Sequence, residues 1–258
     1  MTAPLAFITG ASSGIGQALA AHYAAAGWRL ALVARRHEVV RAWAQAAGLG
    51  PERAQVYVAD MLDVDSVVVA AGACLAGQGL PDLVIAAAGI SVGMDTGERG
   101  DIDVMREVLA VNTVGMAATF HAFVGPMRAA RHGTLVGIAS VAAVRGLPGH
   151  GAYCASKAAV VSYCESLRVE LAQSGVRVVT LLPGYVATPM TQGNAYRMPF
   201  LMPVDAFARV AAQAIARGDR RCVIPWPMAW LARLLGALPC LVFDRLLASR
   251  KRKLRRLE

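Results

Sequence analysis

The sequence predicts an α/β fold of the doubly wound Rossmann kind, a mostly seven-stranded parallel sheet with helices on both faces. Three observations carry this expectation. Short apolar runs alternate with helical stretches along most of the chain. The runs are almost continuously apolar, as parallel strands covered on both faces must be. The first of them leads through a glycine-rich turn directly into a helix.

Taken in order, Leu5 to Thr9 reads as the first strand, and Gln17 to Ala26 as the first helix. Between them lie Thr9-Gly10-Ala11-Ser12-Ser13-Gly14-Ile15-Gly16. In that context Gly10 permits the tight turn, Gly14 lets backbone approach a pyrophosphate, and Gly16 allows close helix–strand packing. The first helical turn then offers free N–H groups and a positive dipole end to phosphates. The second strand, Arg29 to Ala34, runs into Arg35 and Arg36, where NAD sites commonly place an acid for the ribose 2′-hydroxyl. Two guanidiniums and no acid suit a 2′-phosphate, so NADP(H) is the expected cofactor. The third strand, Gln55 to Ala59, delivers Asp60-Met61, an acid placed to accept from an adenine amino group. Leu83–Ala87, Thr134–Ala139, Arg177–Leu182 and Arg221–Ile224 complete the seven.

A helix read from Ala152 to Gln173 carries Tyr153 and Lys157, with Ser140 upstream. Residues four apart share a helix face. A protonated lysine there favours the phenolate and lowers a phenol pKa that starts near about 10, which makes Tyr153 a general acid/base candidate.

With these residues in view, the chain resembles the short-chain dehydrogenase/reductase family, in its single-domain branch, over Leu5 to Thr191. Thr9-Gly-x3-Gly-x-Gly16 is similar to the family's cofactor turn, Asp60 to its adenine-contacting acid, and Ala88-Gly89 to the end of its Asn-Asn-Ala-Gly strand motif. Asn112 resembles its helix-interrupting asparagine, and Ser140, Tyr153 and Lys157 match its serine, tyrosine and lysine in order and spacing. Pro183-Gly184-Tyr185-Val186-x-Thr188 resembles the loop beside the nicotinamide. One departure is plain: Ala86 and Ala87 replace both asparagines, whose family role is to support the sheet and the adenosine side of the cofactor.

The resemblance implies hydride transfer between NADPH and a carbonyl or alcohol carbon. Tyr153 would exchange the proton, and Lys157 would hold its pKa down and bind the nicotinamide ribose. Ser140 would position the substrate oxygen, Asn112 would fix a water in a proton relay, and Val186 and Thr188 would meet the carboxamide. A homodimer or homotetramer built on the helix bearing Tyr153 is also implied, and Ala158, Ala159, Val161 and Leu167 are read as its apolar face.

Residues 1–225 are read as one catalytic domain, with a substrate loop at about 188–205. The expected substrate wall comprises Ser91, Met94, Val141, Leu147, His150, Tyr185, Met190, Tyr196, Met198, Phe200 and Met202. It is mostly apolar and rich in methionine, with no Arg or Lys obviously among its residues although Arg145 and Arg197 are near in sequence, and points to a lipophilic ketone or alcohol such as a 3-keto lipid, fatty acyl, retinoid-like or steroid-like compound. The alternatives are a soluble 3-oxoacyl-thioester reductase and, outside enzymes, an NADP-binding sensor or a membrane scaffold. The five cysteines share no metal-like spacing, so no metal is expected. Nothing before the first strand resembles a signal peptide, which suits reduced core thiols in the cytoplasm.

The net charge of +9 is uneven: residues 245–258 carry +6 of it. No aromatic residue is interleaved there, which argues against nucleic acid. The stretch before this tail holds Trp226 and Trp230 among leucines, broken by Arg233, Pro239 and Asp244. Residues 226–258 therefore fit either a peripheral contact with an anionic membrane, at its inner face, or an element packed on the core or on a subunit partner.

Overall fold

The structure, a computed structural model, describes residues 3–192, 194, 196–248, 253 and 255. Seven parallel strands form one sheet: β1 (Leu5–Thr9), β2 (Arg29–Val33), β3 (Ala54–Tyr57), β4 (Leu83–Ala86), β5 (Thr134–Ile138), β6 (Arg177–Pro183) and, last in the sheet, Arg221–Ile224. A two-stranded piece, β7 (Val186–Ala187) with β8 (Met202–Pro203), precedes that last strand, which is therefore β9. The sheet order is β3-β2-β1-β4-β5-β6-β9. The order reverses between β1 and β4, and α/β sheets bind ligands beyond the strand ends at such a switch point.

Side chains along each strand point alternately to the two faces. Phe7, Val33, Val84 and Leu135 join one buried layer, and Ala6, Ile8, Leu32, Ile85 and Val136 join the other. The helices α1 (Gly14–Ala25), α2 (His37–Ala46), α3 (Val64–Gly77), α4 (Asp101–Leu109), α5 (Gly115–Ala130) and α6 (Gly151–Glu170) follow the strands. A short α7 (Pro189–Gln192), then α8 (Val204–Arg217), α9 (Pro227–Ala237) and α10 (Cys240–Leu247) complete the chain. Asp63 starts α3 by accepting from the amides of Asp65 and Ser66, at 3.1 and 3.2 Å. That satisfies two of the four donors a helix start leaves open.

Two expectations are corrected here. Leu167 turns into the core while Ala158 is exposed, so Ala158, Ala159, Val161 and Leu167 do not share one outward face of α6. Cys240 is exposed at the start of α10 rather than in the core, whereas Cys74, Cys154 and Cys164 are buried. Of the two readings of residues 226–258, the described part agrees with an element packed on the core: it forms α9 and α10, with Met228, Ala232 and Phe243 buried. Arg250, Lys251, Arg252 and Arg256 of the basic tail lie outside the described residues.

Candidate active site

The glycine turn is built by contact. Gly10 has φ +70, and a Cβ there would lie 2.7 Å from the backbone of Ala88. A Cβ on Gly16 would collide with the Gly10 carbonyl. Only glycine lets the turn, the β4 end and α1 converge at the switch point. Ala88 completes the junction by donating its amide to Thr9 Oγ1 at 3.3 Å.

This convergence floors an open groove. Its walls include every expected cofactor contact: Gly10, Ser12, Ser13, Gly14, Ile15, Gly16, Arg35, Arg36, Asp60, Met61, Ala88, Gly89, Tyr153, Lys157, Pro183, Gly184, Val186 and Thr188. Arg36 reaches across the turn to Ser12 Oγ at 3.1 Å and Ser13 Oγ at 3.2 Å. Arg35 pairs with Asp60 at 3.5 Å, while the other Asp60 oxygen accepts from the Leu62 amide at 3.0 Å. Two guanidiniums, two hydroxyls and a helix N-terminus on one groove fit a phosphorylated dinucleotide.

At the far end of the groove, α6 presents Tyr153 and Lys157. Lys157 is buried, and its Nζ donates to the Ile138 carbonyl at 2.8 Å, 5.8 Å from the centre of the Tyr153 ring. Burial lowers the Lys157 pKa to about 8. Tyr153 corrects the expectation from sequence. Burial pushes its phenol up from the usual value, against a hydrogen bond with Ser140 that pulls it down. The lysine stands off the ring and bonds a carbonyl, so desolvation, not the neighbouring cation, dominates the phenol. Ser140 also accepts from the Ala142 amide at 3.1 Å, which fixes its rotamer at the start of a short 3-10 turn, Val141–Ala143.

Asn112 sits in a π-helical turn, Ala110–Val114, where α4 gives way to α5. Its side chain is fully committed. The Oδ1 accepts from the Ile90 amide at 2.8 Å, and Nδ2 donates to the Ile90 carbonyl at 2.9 Å and to Ser156 Oγ at 2.9 Å. These bonds clamp the chain beyond β4 to α6. That clamp also answers the missing asparagines. Ala86 and Ala87 donate no side-chain bond, and Asn112 holds the chain at Ile90, four residues beyond the end of β4.

A second, mainly apolar cavity opens beside Ser140 and Tyr153. Of the expected wall, Ser91, Val141, Leu147, His150, Tyr185, Met190 and Tyr196 line it. Met94, Met198, Phe200 and Met202 do not. Met94 is buried under α6, its sulfur accepting from the Ala152 amide at 3.1 Å. Met198 receives Asn194, Phe200 is exposed, and Met202 pairs in β8. Sequence proximity misplaced them, Met94 through its nearness to Ser91 and the other three through theirs to Met190 and Tyr196.

Residues that replace them come largely from α9: Met228, Leu231, Ala232 and Leu235. They recur at helix spacing, the one signal the sequence offered. Two cations also reach the wall: Arg145, which the sequence placed near it, and Lys253, which it did not; Arg197 does not line it. Arg145 donates to the Leu238 carbonyl at 3.0 Å and lies 4.1 Å over the Phe243 ring, stapling α9 to α10. Lys253 donates to Asn194 Oδ1 at 2.7 Å on the cavity wall, and Arg255 pairs with Asp101 at 2.7 Å at the start of α4. His150 is held between the Pro148 carbonyl at 3.0 Å and the Tyr196 hydroxyl at 3.1 Å. That pairing assigns the proton to Nδ1 and makes Nε2 the acceptor.

A family model for short chain dehydrogenases matches residues 4–198. An uncharacterized oxidoreductase of Myxococcus xanthus is 38% identical over 242 residues, 93% of this chain and 94% of that one. A Bos taurus dehydrogenase/reductase SDR family member 7B is 31% identical, covering 96% and 82%. A crystallised short chain dehydrogenase of Burkholderia cenocepacia, in complex with NADP, superposes with a TM-score of 0.80 at 25% identity, covering 95% and 98%.

Proposed function

The chain belongs to the short-chain dehydrogenase family, and from that premise we propose that it is an NADPH-dependent reductase of a lipophilic carbonyl compound. The single observation that carries this reading is the meeting of two spaces at one pair of hydroxyls. The basic dinucleotide groove and the apolar cavity share Ser140 and Tyr153. When bound, the nicotinamide cofactor supplies or accepts the hydride.

The chain's own residues do the rest. Ser140, its rotamer set by the Ala142 amide, donates to the substrate oxygen and holds it against Tyr153. Tyr153, kept protonated by burial, gives its phenolic proton to that oxygen as negative charge develops. The Lys157 ammonium stabilises the phenolate left behind, and its second task is to bind the cofactor ribose. Asn112 acts indirectly, by fixing Ile90 and α6 so that Tyr153 and Lys157 keep their places.

The preference for NADPH is supported by Arg36 on the serine pair, by Arg35, and by the absence of an acid at the end of β2. The lipophilic substrate is supported by the walls that Leu147, Tyr185, Met228, Leu231 and Leu235 contribute. The test is oxidation of NADPH and NADH followed across a panel of ketones and aldehydes. Tyr153→Phe should lose turnover by about a thousandfold. Arg35→Ala with Arg36→Ala should cost about 10- to 100-fold in kcat/KM with NADPH and little with NADH. Retained activity in Tyr153→Phe would end the mechanism, and a wild-type preference for NADH would end the cofactor assignment.

A further inference from the structure

The helix that walls the cavity carries a second apolar face. Met228, Leu231, Ala232 and Leu235 of α9 look inward. On the other side Trp226, Trp230 and Leu234, four residues apart in turn, are 72%, 65% and 61% exposed. Leu241, Val242 and Leu246 extend that surface onto α10 and are likewise exposed. Six exposed large apolar residues within a span of 21 are a cluster, where solitary ones would need no explanation. Neither helix is long enough to cross a bilayer, and Leu238-Pro239 breaks them apart. The apolar stretch Asp101–Ala130, which is long enough, is half buried in the core.

Charge selects the occupant. Residues 226–258 hold eight Lys or Arg and two acids. Arg233 lies 5.7 Å over the Trp230 ring, and Arg245 stands between the exposed residues of α10. Lys253 and Arg255 are engaged with the domain, while Arg233 and Arg245 stand among the exposed apolar residues of α9 and α10. A second copy of this chain would bring the same net-positive surface to both sides of a two-fold interface, so the excess cations would be left without opposite charge. An anionic lipid surface satisfies both halves of the pattern, tryptophan and leucine in the acyl boundary and guanidinium at the phosphates.

We propose that the outer face of α9 and α10 is a membrane-contact surface, which seats the enzyme on an anionic leaflet through the same helix that walls its substrate cavity. The surface is independent of the catalytic residues, so its failure and a failure of the reductase reading are separately visible.

The experiment is flotation of the full chain with phosphatidylcholine vesicles, with and without phosphatidylglycerol. Quenching of tryptophan fluorescence by brominated acyl chains, and turnover of a water-soluble carbonyl, are read in parallel. The wild-type chain should float with the anionic vesicles, release at high salt, and be quenched. Trp226→Ser with Trp230→Ser and Leu234→Ser should weaken flotation about tenfold or more and leave soluble turnover intact. Arg233→Glu with Arg245→Glu, which keeps every apolar side chain, should abolish the preference for phosphatidylglycerol. No flotation of the wild-type chain, or equal flotation of the triple variant, would overturn the proposal. So would a triple variant that turns a dimer into a monomer while the wild-type chain ignores vesicles, since the patch would then belong to a second copy.

Discussion

Lys157 is the residue on which stability and chemistry pull in opposite directions. Its folded pKa of about 8 lies below its ordinary 10.5. Between those values the unfolded chain binds more protons, so stability rises as pH climbs through this window. Below it, the buried cation costs up to about 3 kcal/mol. Lys157→Met should therefore gain about 1–3 kcal/mol in urea denaturation at pH 7 while losing turnover. The same value sets the pH profile of reduction. The ammonium that stabilises the phenolate is present below pH about 8 and lost above it, so turnover should hold on the acid side and fall as pH rises past that point. Asn112→Ala should cost about 1–3 kcal/mol, because it removes the partner of both backbone groups of half-buried Ile90 and of Ser156 Oγ. Thermal unfolding of the cofactor-free protein checks that figure.

At the scale of elements, Arg145 is the joint that keeps α9 over the cavity. Arg145→Ala removes a donor to the Leu238 carbonyl and the cation over Phe243. Amide exchange in residues 227–247 should rise about tenfold while the central strands stay protected. This region also marks where reading from sequence ended. The strands were legible to within about two residues, because a strand buried on both faces must be apolar throughout: Arg29–Ala34 was expected and Arg29–Val33 is found. The glycine turn, α6 and the π-helical site of Asn112 were legible because each carries residue types that few other structures need. The inner face of α9 was visible as a spacing but not as a destination. Whether Met228 and Leu231 meet the core, a partner or a ligand depends on how β9 delivers the helix, and no local signal encodes that. The exclusion of Met94 and Met202 from the cavity has the same origin, since neighbours along the chain need not share a surface.

For the whole molecule, the groove is a ligand site formed only when β1, β4, α1 and α6 are assembled. A cofactor that binds only this state stabilises the fold by mass action. At a hundred times its Kd, NADPH should add about 2.7 kcal/mol, read as a rise in thermal midpoint that NADH at equal concentration does not match. The groove and the cavity are not merely adjacent. They share Gly184, Met190 and Thr191 as well as Ser140 and Tyr153, and Thr191 Oγ1 ties that stretch together by donating to the Val186 carbonyl at 2.7 Å. A wall with two tenants cannot be ordered by one without altering the other's reception. Cofactor and substrate are then heterotropic effectors of each other, and whatever factor NADPH applies to substrate affinity, the substrate must return to NADPH.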